Sequence, residues 1–162
     1  MDPEQALRQL VDRAAIIDVA TKFAASLDHR RWDDYGACLS DKIEISLPTM
    51  GGWVSMTREE LLAFAERLYS QMDGCQHISA NHQVTVSGDE ATCLSTLNAT
   101  HYLTAEHDER IQREVGYYDY RLVRSDTGWQ ITRLLMTITW VEGNTAALRR
   151  LQANASLPTA RV

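Results

Sequence analysis

The chain has 162 residues, of which 44% are hydrophobic, and this length favours one domain with a sizeable core over two smaller ones. The formal net charge is −6 and no more than two basic residues are adjacent, which disfavours nucleic-acid partners because phosphates repel an acidic surface. We therefore expect a single domain over residues 1–162, with its core at about 5–145 and a C-terminal helix and tail at 145–162.

No apolar run approaches the roughly 20 residues that a membrane-spanning helix needs, and the first residues lack the basic-then-apolar pattern of a secretory signal. The sequence therefore predicts a cytoplasmic protein with no membrane partner. Cys38, Cys75 and Cys93 show no CxxC spacing, so free and mostly buried thiols are expected.

Two helices are predicted before residue 40. Asp2 is a candidate N-cap, the proline after it suits the first helical position, and Gln5 can reach back to the cap. A second, shorter helix is predicted to carry Trp32, Tyr35 and Leu39 on one face. The predicted buried face of the first helix follows helical spacing: Leu7, Leu10, Val11, Ala14, Ile17, Ala20, Ala24 and Leu27.

A short strand and a third helix are predicted in the middle of the chain. The apolar run at 43–47 is typical of a strand, and the proline and glycines after it predict a loop. Thr57 and Glu60 have the spacing of a capping box at the start of a helix, and Gly74 is a candidate stop. The predicted apolar face of this helix is Leu61, Phe64, Leu68 and Met72.

After Gly74 the apolar period changes from 3.6 to 2, which is typical of strands. Four strands are predicted, at about 76–87, 91–104, 114–124 and 128–142. A longer polar connection is predicted at 105–113, and Asn144 can cap a terminal helix. Helices followed by an antiparallel sheet indicate an α+β fold, in which a curved, mostly antiparallel sheet is wrapped by the N-terminal helices. Such a cone leaves a cavity suited to a ligand.

Four segments of the chain carry a resemblance to a known family. They are LDHRRWDDYGACLSDKIEI, QHISANHQVTVSGDEATCLSTLNATHYL, GYYDYRLVRSDTGWQI and TWVEGN, between about residues 10 and 145. Together they resemble the SnoaL-like branch of the nuclear-transport-factor-2-like superfamily, which implies a cone-shaped, cystatin-like α+β barrel. That superfamily includes scytalone dehydratase, bile acid 7α-dehydratase, hexachlorocyclohexane dehydrochlorinase, polyketide cyclases, ketosteroid isomerase and non-catalytic binders.

The resemblance also implies a catalytic pair. The dehydratases and the dehydrochlorinase share an Asp and a His, and Asp28 and His77 fall at those positions. His101, in NATHYL, resembles a second pocket histidine of scytalone dehydratase. The bile acid dehydratase type has a tyrosine five residues before its Asp, where this chain has Phe23, so an acid must come from elsewhere or be dispensable.

The chemistry of such a pair is general-base catalysis. An imidazole takes a proton near neutral pH if one ring nitrogen is bare and the other is held. Asp28 could accept the Nδ1 proton of His77 and fix its tautomer, as the aspartate does in hydrolase triads. Each residue alone also fits a structural role: Asp28 as a helix-end residue paired with Arg30 or Arg31, and His77 as a satisfied sheet histidine. Their joint match to the family pair favours catalysis.

Further residues are candidates for the substrate pocket. Phe23, Trp53, Tyr118 and Trp140 could form its wall, although core packing is the commoner role of aromatic residues. Tyr118 could supply the hydroxyl that Phe23 lacks. His101 fits a pocket-lining role and ordinary core packing equally well; in the pocket, it could protonate a leaving hydroxyl.

Strand alternation divides the predicted strand at 76–87 into two faces. Asn81 shares the face of His77 and is a candidate substrate-binding residue, whereas His82 falls on the opposite face. An apolar set on that opposite face predicts contact with a second subunit, in a dimer or trimer. This set consists of Ile78, Ala80, Val84 and Val86.

No HExxH, GxGxxG, GxxxxGK[ST] or GxSxG pattern occurs, so no metal, no nucleotide cofactor and no α/β-hydrolase is expected. The sequence predicts a cofactor-independent lyase, either a dehydratase or a dehydrohalogenase, with His77 as base, Asp28 as its orienter, and His101 or Tyr118 as acid. Its expected partner is a small hydrophobic molecule, cyclic or polyketide- or steroid-like. A cyclase or isomerase with the same base, and a non-catalytic binding or assembly module, are the alternatives.

Overall fold

The computed structural model describes residues 2–103 and 110–155, and it confirms the predicted α+β class. The described helices are α1 (Pro3–His29), α2 (Trp32–Ala37), α3 (Arg58–Tyr69) and α4 (Thr145–Asn154). The described strands are β1 (Leu39–Ser46), β2 (Val54–Thr57), β3 (Gly74–Ser87), β4 (Glu90–Tyr102), β5 (Ile111–Ser125) and β6 (Gly128–Gly143).

The strands form one curved, mostly antiparallel sheet, as predicted. Their order is β2-β1-β6-β5-β4-β3. Strands β1 and β6 run parallel, and the other neighbouring pairs are antiparallel. The core lies between the helices and the inner face of this sheet. Its fully or nearly fully buried members include Ile16, Phe23, Leu61, Phe64, Leu97, Ala99, Tyr120 and Leu122.

Side-chain caps fix the starts of two helices where the sequence predicted them. The Thr57 hydroxyl accepts from the Glu60 backbone N–H at 3.2 Å, and the Glu60 carboxylate accepts from the Thr57 N–H at 2.9 Å. Asn144 caps α4 by accepting from Ala147 N–H at 3.0 Å. Asp2 occupies the N-cap position of α1 and a proline follows it, as predicted, but the Asp2 side chain makes no cap hydrogen bond.

Several boundaries differ from the prediction. Leu39 opens β1 and pairs with Ile131 instead of extending the second helix. Gly74 opens β3, and α3 has already ended at Tyr69. Strand β2 was not predicted, because four residues are too few to show an alternation. The predicted connection at 105–113 lies largely outside the described residues, and so does the predicted tail after residue 155; β5 begins at Ile111.

The predicted apolar face of α1 is wrong in its first half. Leu7, Leu10 and Val11 are 62%, 64% and 58% exposed, whereas the inward position is taken by Asp12. The Asp12 carboxylate accepts two hydrogen bonds from the Arg124 guanidinium, at 2.8 and 2.9 Å, and one from the Trp129 indole at 3.3 Å. A charge can be buried when its hydrogen bonds are satisfied in this way, so apolar spacing alone misplaces the face.

A β-bulge in β3 reverses the predicted faces of two residues. The pairing with β4 shifts between Ala80 and Gln83, and Asn81 has a φ of 54°. Beyond the bulge, His82 lies on the inner side, with its Nε2 3.1 Å from the Ser79 hydroxyl. Asn81 is exposed and its amide contacts the Thr96 hydroxyl at 3.4 Å. Asn81 therefore does not face the pocket, and His82 does not face outward.

The same bulge changes the predicted outer apolar set. Val84 and Val86 follow the bulge and pack against the core, whereas Ile78 precedes it and is exposed. The set therefore does not form one continuous outer patch.

Candidate active site

The end of α1 is fixed against the end of α3 by Arg30. This residue has a left-handed φ of 53° at the C-cap of α1. Its guanidinium donates to the backbone carbonyls of Met72 at 2.6 Å and Tyr69 at 3.3 Å. Arg31 forms an ion pair with Asp34. Neither arginine is therefore the partner of the carboxylate of Asp28, which is free to face the sheet.

Asp28 binds His77 through both its side chain and its backbone. The Asp28 Oδ1 atom lies 2.7 Å from Nδ1 of His77, and the two carboxylate oxygens accept from the His77 backbone N–H at 3.0 and 2.8 Å. A carboxylate only accepts hydrogen bonds, so Nδ1 carries the proton and Nε2 is bare. The backbone contact fixes the carboxylate, and the side-chain contact fixes the tautomer and the ring.

The bare nitrogen of His77 faces a tyrosine that the sequence did not indicate. The Tyr69 hydroxyl lies 3.1 Å from His77 Nε2. Burial raises the pKa of Tyr69 well above its ordinary value, so the hydroxyl stays protonated and donates to Nε2. Tyr69 follows the buried Ala65 by four residues on α3. Counting Ala65 in the apolar face of this helix would have widened it enough to include Tyr69.

His101 lies beside His77 in the pocket, with 5.5 Å between the ring centroids. Its Nδ1 is 2.7 Å from Oε1 of the buried Gln112, so Nδ1 donates and Nε2 carries no proton. Burial, together with the nearby His77, lowers the pKa of His101 to about 4. A neutral His101 in this tautomer can accept a hydrogen bond at Nε2 but has no proton there to give to a leaving group.

The stability of the protein should therefore depend on pH through His101. Its pKa is about 4 in the folded protein, whereas histidine in an unfolded chain titrates near 6.5, roughly. Between these two pKa values the unfolded state binds more protons than the folded state. The free energy of unfolding is therefore highest at pH values above the pKa of the unfolded chain, and it falls as the pH is lowered. We expect His101 to account for a fall of about 3 kcal/mol.

Urea unfolding between pH 7 and pH 4 measures this effect. His101→Gln should remove that part of the pH dependence, while His29→Gln, at an exposed histidine, should leave it in place. Parallel profiles for wild type and His101→Gln would show that His101 is not buried in its neutral form.

The pocket next to this pair has a volume of about 80 Å³ and a mostly apolar lining. Phe23 lies in its wall, stacked on Tyr35 with 4.9 Å between ring centroids and edge-on to Tyr118 at 6.1 Å. Burial raises the pKa of Tyr118, so its hydroxyl also stays protonated. The polar side chains of the lining are Tyr35, Thr49, Tyr69, His77, His101, Glu114, Tyr118 and Gln152.

Two aromatic residues predicted for the wall do not line this pocket. Trp53 is exposed and lies under the guanidinium of Arg133, 3.8 Å from the ring centroid to the Cζ atom. Trp140 is also exposed, near the end of β6. Trp140 is paired with Val115 in the sheet, and Trp53 precedes β2 and contacts Arg133; composition and spacing indicate neither contact.

Glu114 is a further pocket residue that the sequence reading missed. It lies on the inner face of β5 together with Tyr118, four residues along the strand. Burial raises the pKa of its carboxyl group, and the nearby amide of Gln112 partly offsets that effect. The sequence did contain an indication of this position, because Glu114 alternates along the strand with Gln112 and Tyr118, which are buried.

The thiol of Cys75 lies close to the pair. Ligand atoms of Asp28, His77 and Cys75 fall within 4.8 Å of one another. Burial, followed by the effect of the Asp28 carboxylate, raises the pKa of Cys75 to about 12, so the thiol stays protonated beside the pair. Asp28 and His77 already bind each other. The contacts of these residues are those of a hydrogen-bonded pair with a thiol beside it.

The remaining features of the described residues agree with this picture. All three cysteines are free, and Cys38 and Cys93 are buried, as predicted. Within residues 2–103 and 110–155, no helix has the length and apolar character needed to cross a membrane.

Solved structures from bacteria have the same fold. The Kfla4162 protein of Kribbella flavida is 25% identical, with a TM-score of 0.80 over 88% of this chain and 99% of that one. A candidate scytalone dehydratase from Novosphingobium aromaticivorans is 24% identical, with a TM-score of 0.72 over 83% and 88% of the two chains. The hexachlorocyclohexane dehydrochlorinase LinA-type3 of Novosphingobium barchaimii is 18% identical, with a TM-score of 0.74 over 86% and 94%.

No curated protein matches the sequence significantly. A family model does match: the one described as a SnoaL-like domain covers residues 8–134, which include Asp28, His77 and strands β3, β4 and β5. With this match over most of its length, the chain belongs to the SnoaL-like domain family.

Proposed function

We propose that this protein is a cofactor-independent lyase that eliminates water or a halide from a small, hydrophobic cyclic molecule. One observation carries the proposal: the Asp28 carboxylate holds His77 by Nδ1, and the other ring nitrogen is unprotonated and accepts from the Tyr69 hydroxyl at the pocket wall. The similarity to the candidate scytalone dehydratase and to the dehydrochlorinase supports a fold that hosts such reactions.

The proposed step begins with removal of a C–H proton by Nε2 of His77. General-base catalysis of this kind contributes about 10²–10⁴-fold to the rate. The imidazolium that forms is stabilised by the adjacent Asp28 carboxylate. The apolar lining limits water, which strengthens this attraction.

The volume of the pocket limits the size of the substrate. Its volume of about 80 Å³ is well below the roughly 300–1,000 Å³ of pockets for drug-sized ligands. A single-ring molecule is therefore a better fit than a steroid in this conformation. A non-catalytic binding or assembly module does not need Asp28 and His77 in contact beside an apolar pocket, and this contact therefore favours the enzyme.

Tyr69 is proposed to turn from His77 to a substrate oxygen when the pocket is occupied. It would supply the hydroxyl that is missing at Phe23. Tyr69→Phe should then lower kcat by about 10²-fold, since a donor to developing negative charge is lost. Tyr117→Phe removes a hydroxyl from the exposed face of β5 and should leave kcat unchanged. Equal kcat values for wild type and Tyr69→Phe would exclude this role.

A substrate screen tests the proposed function. Wild-type protein is incubated with small cyclic β-hydroxy ketones and chlorinated cyclohexanes, and loss of water or chloride is followed by mass spectrometry and chloride release. We expect turnover of at least one class, with loss of the C–H proton to solvent. Turnover that leaves that C–H bond intact would contradict a base-catalysed elimination.

A further inference from the structure

Glu114 is an inward-facing acid that the proposed step does not use. It lines the pocket from the inner face of β5. Among the described residues, no lysine, arginine or histidine forms an ion pair with it. Burial disfavours the charged form of a carboxyl group that has no cationic partner, and in its neutral form such a group can donate a hydrogen bond or a proton.

The strand register places Glu114 opposite the candidate base. His77 pairs with Ala99 across β3 and β4, and Ala99 pairs with Glu114 across β4 and β5. Three inward residues thus lie side by side on neighbouring strands, with the Cα atoms of His77 and Glu114 roughly 10 Å apart. Ala99 is fully buried and carries only a methyl group, so it leaves space between the imidazole and the carboxyl group.

The titratable groups around this space do not favour ionisation of Glu114. Burial raises the pKa of its carboxyl group, with a smaller opposing effect from Gln112. His101 stays neutral because its pKa is about 4, and burial keeps the tyrosines protonated. Strand β6 and helix α4 contribute only uncharged side chains. The titratable groups facing the space are Asp28, Tyr35, Tyr69, His77, His101 and Tyr118.

We propose that Glu114 is the acid partner of His77: a catalytic residue that gives its carboxyl proton to an oxygen of the substrate. The substrate class is then a small ring bearing a hydroxyl or carbonyl group, not a chlorinated hydrocarbon, because a protonated acid recognises oxygen. A ring lying over Ala99 meets the base on one side and the acid on the other. This inference rests on the proposed lyase function and narrows it to a dehydratase.

The step balances as a dehydration. Nε2 of His77 takes the C–H proton, and the electron pair of that bond forms the new C=C bond as the adjacent C–O bond breaks. The proton of Glu114 goes to the departing oxygen, which leaves as water. The site then holds an imidazolium and a carboxylate, and passage of one proton from His77 to Glu114 through solvent restores the starting state.

Cyclohexanone is a suitable probe, since it accepts a hydrogen bond and cannot donate one. Its affinity for wild type should fall by up to about tenfold for each pH unit above the Glu114 midpoint, because only the protonated acid donates. Glu114→Gln should show a flat profile, and the control Glu142→Gln, on the exposed side of β6, should follow wild type. Parallel profiles for wild type and Glu114→Gln, or no binding to wild type, would overturn the assignment.

Infrared spectroscopy gives a second measurement, and it requires the Glu114→Gln variant to be folded at a single pH only. At pH 4.5, where an ordinary glutamate is half ionised, the difference between wild type and Glu114→Gln should contain mainly the band of a neutral carboxyl group. A carboxylate band in its place would overturn the proposal.

Activity separates failure of this inference from failure of the lyase function. With 3-hydroxycyclohexanone as substrate, Glu114→Gln and His77→Gln should each lower kcat by about 10²–10⁴-fold. If kcat falls in His77→Gln but not in Glu114→Gln, the lyase function is supported and Glu114 is not its acid. If wild type eliminates water from no hydroxylated ring but releases chloride from chlorinated ones, the substrate class is overturned. If it turns over neither, the catalytic role falls with the lyase function.

Discussion

Replacing His77 with glutamine is expected to lower kcat for elimination by about 10²–10⁴-fold, since glutamine cannot take a proton. Glutamine keeps a polar side chain of similar reach, so the pocket should retain its shape. The substrate concentration at half-maximal rate should change much less than kcat, because the base acts in the transition state. Steady-state kinetics on the substrate found in the screen provide the measurement.

His29→Gln is the matched control for that change. His29 lies at the exposed end of α1, one residue after Asp28, so its loss tests a nearby histidine that does not face the pocket. Its kcat should equal that of wild type. A His77→Gln variant with wild-type turnover would rule out His77 as the base.

Asp28→Asn is expected to lower kcat by about 10³–10⁴-fold, through the tautomer of His77 and not through the shape of the site. The asparagine oxygen can replace one carboxylate oxygen as acceptor for the His77 backbone N–H. Its amide then faces Nδ1 and donates to it, so the ring proton moves to Nε2. A protonated Nε2 cannot take a proton from the substrate.

The control for Asp28→Asn is Asp33→Asn, which makes the same chemical change at an exposed site on α2. That variant should keep wild-type kinetics. Both variants should unfold cooperatively in urea, which separates loss of activity from loss of the fold. An active Asp28→Asn enzyme would mean that the carboxylate does not orient the imidazole.

The sequence predicted those features that depend on spacing and on known cap chemistry. Thr57 and Glu60 form the predicted capping box, and the period of two after Gly74 corresponds to the long strands. The resemblance to the family placed Asp28 and His77, and the coordinates bring them into contact. Their catalytic role stays a prediction until the kinetics are measured.

Other features depend on contacts between distant parts of the chain. Asp12 takes an inward position because Arg124, more than a hundred residues away, satisfies its charge. The bulge at Asn81 shifts the strand parity by one residue, and the alternation of apolar and polar residues in β3 does not predict it. Tyr69 and Glu114 reach the pocket only once α3 and β5 are packed against β3 and β4.

Nitrogen NMR of the His77 ring tests the central claim without any substrate. In neutral buffer, the His77 ring is assigned in long-range proton–nitrogen spectra as the set of signals that His77→Gln lacks. In wild type these signals should show a protonated Nδ1 and an unprotonated Nε2. The reverse pattern, with the proton on Nε2 and none on the nitrogen facing Asp28, would contradict a carboxylate-held base at this site.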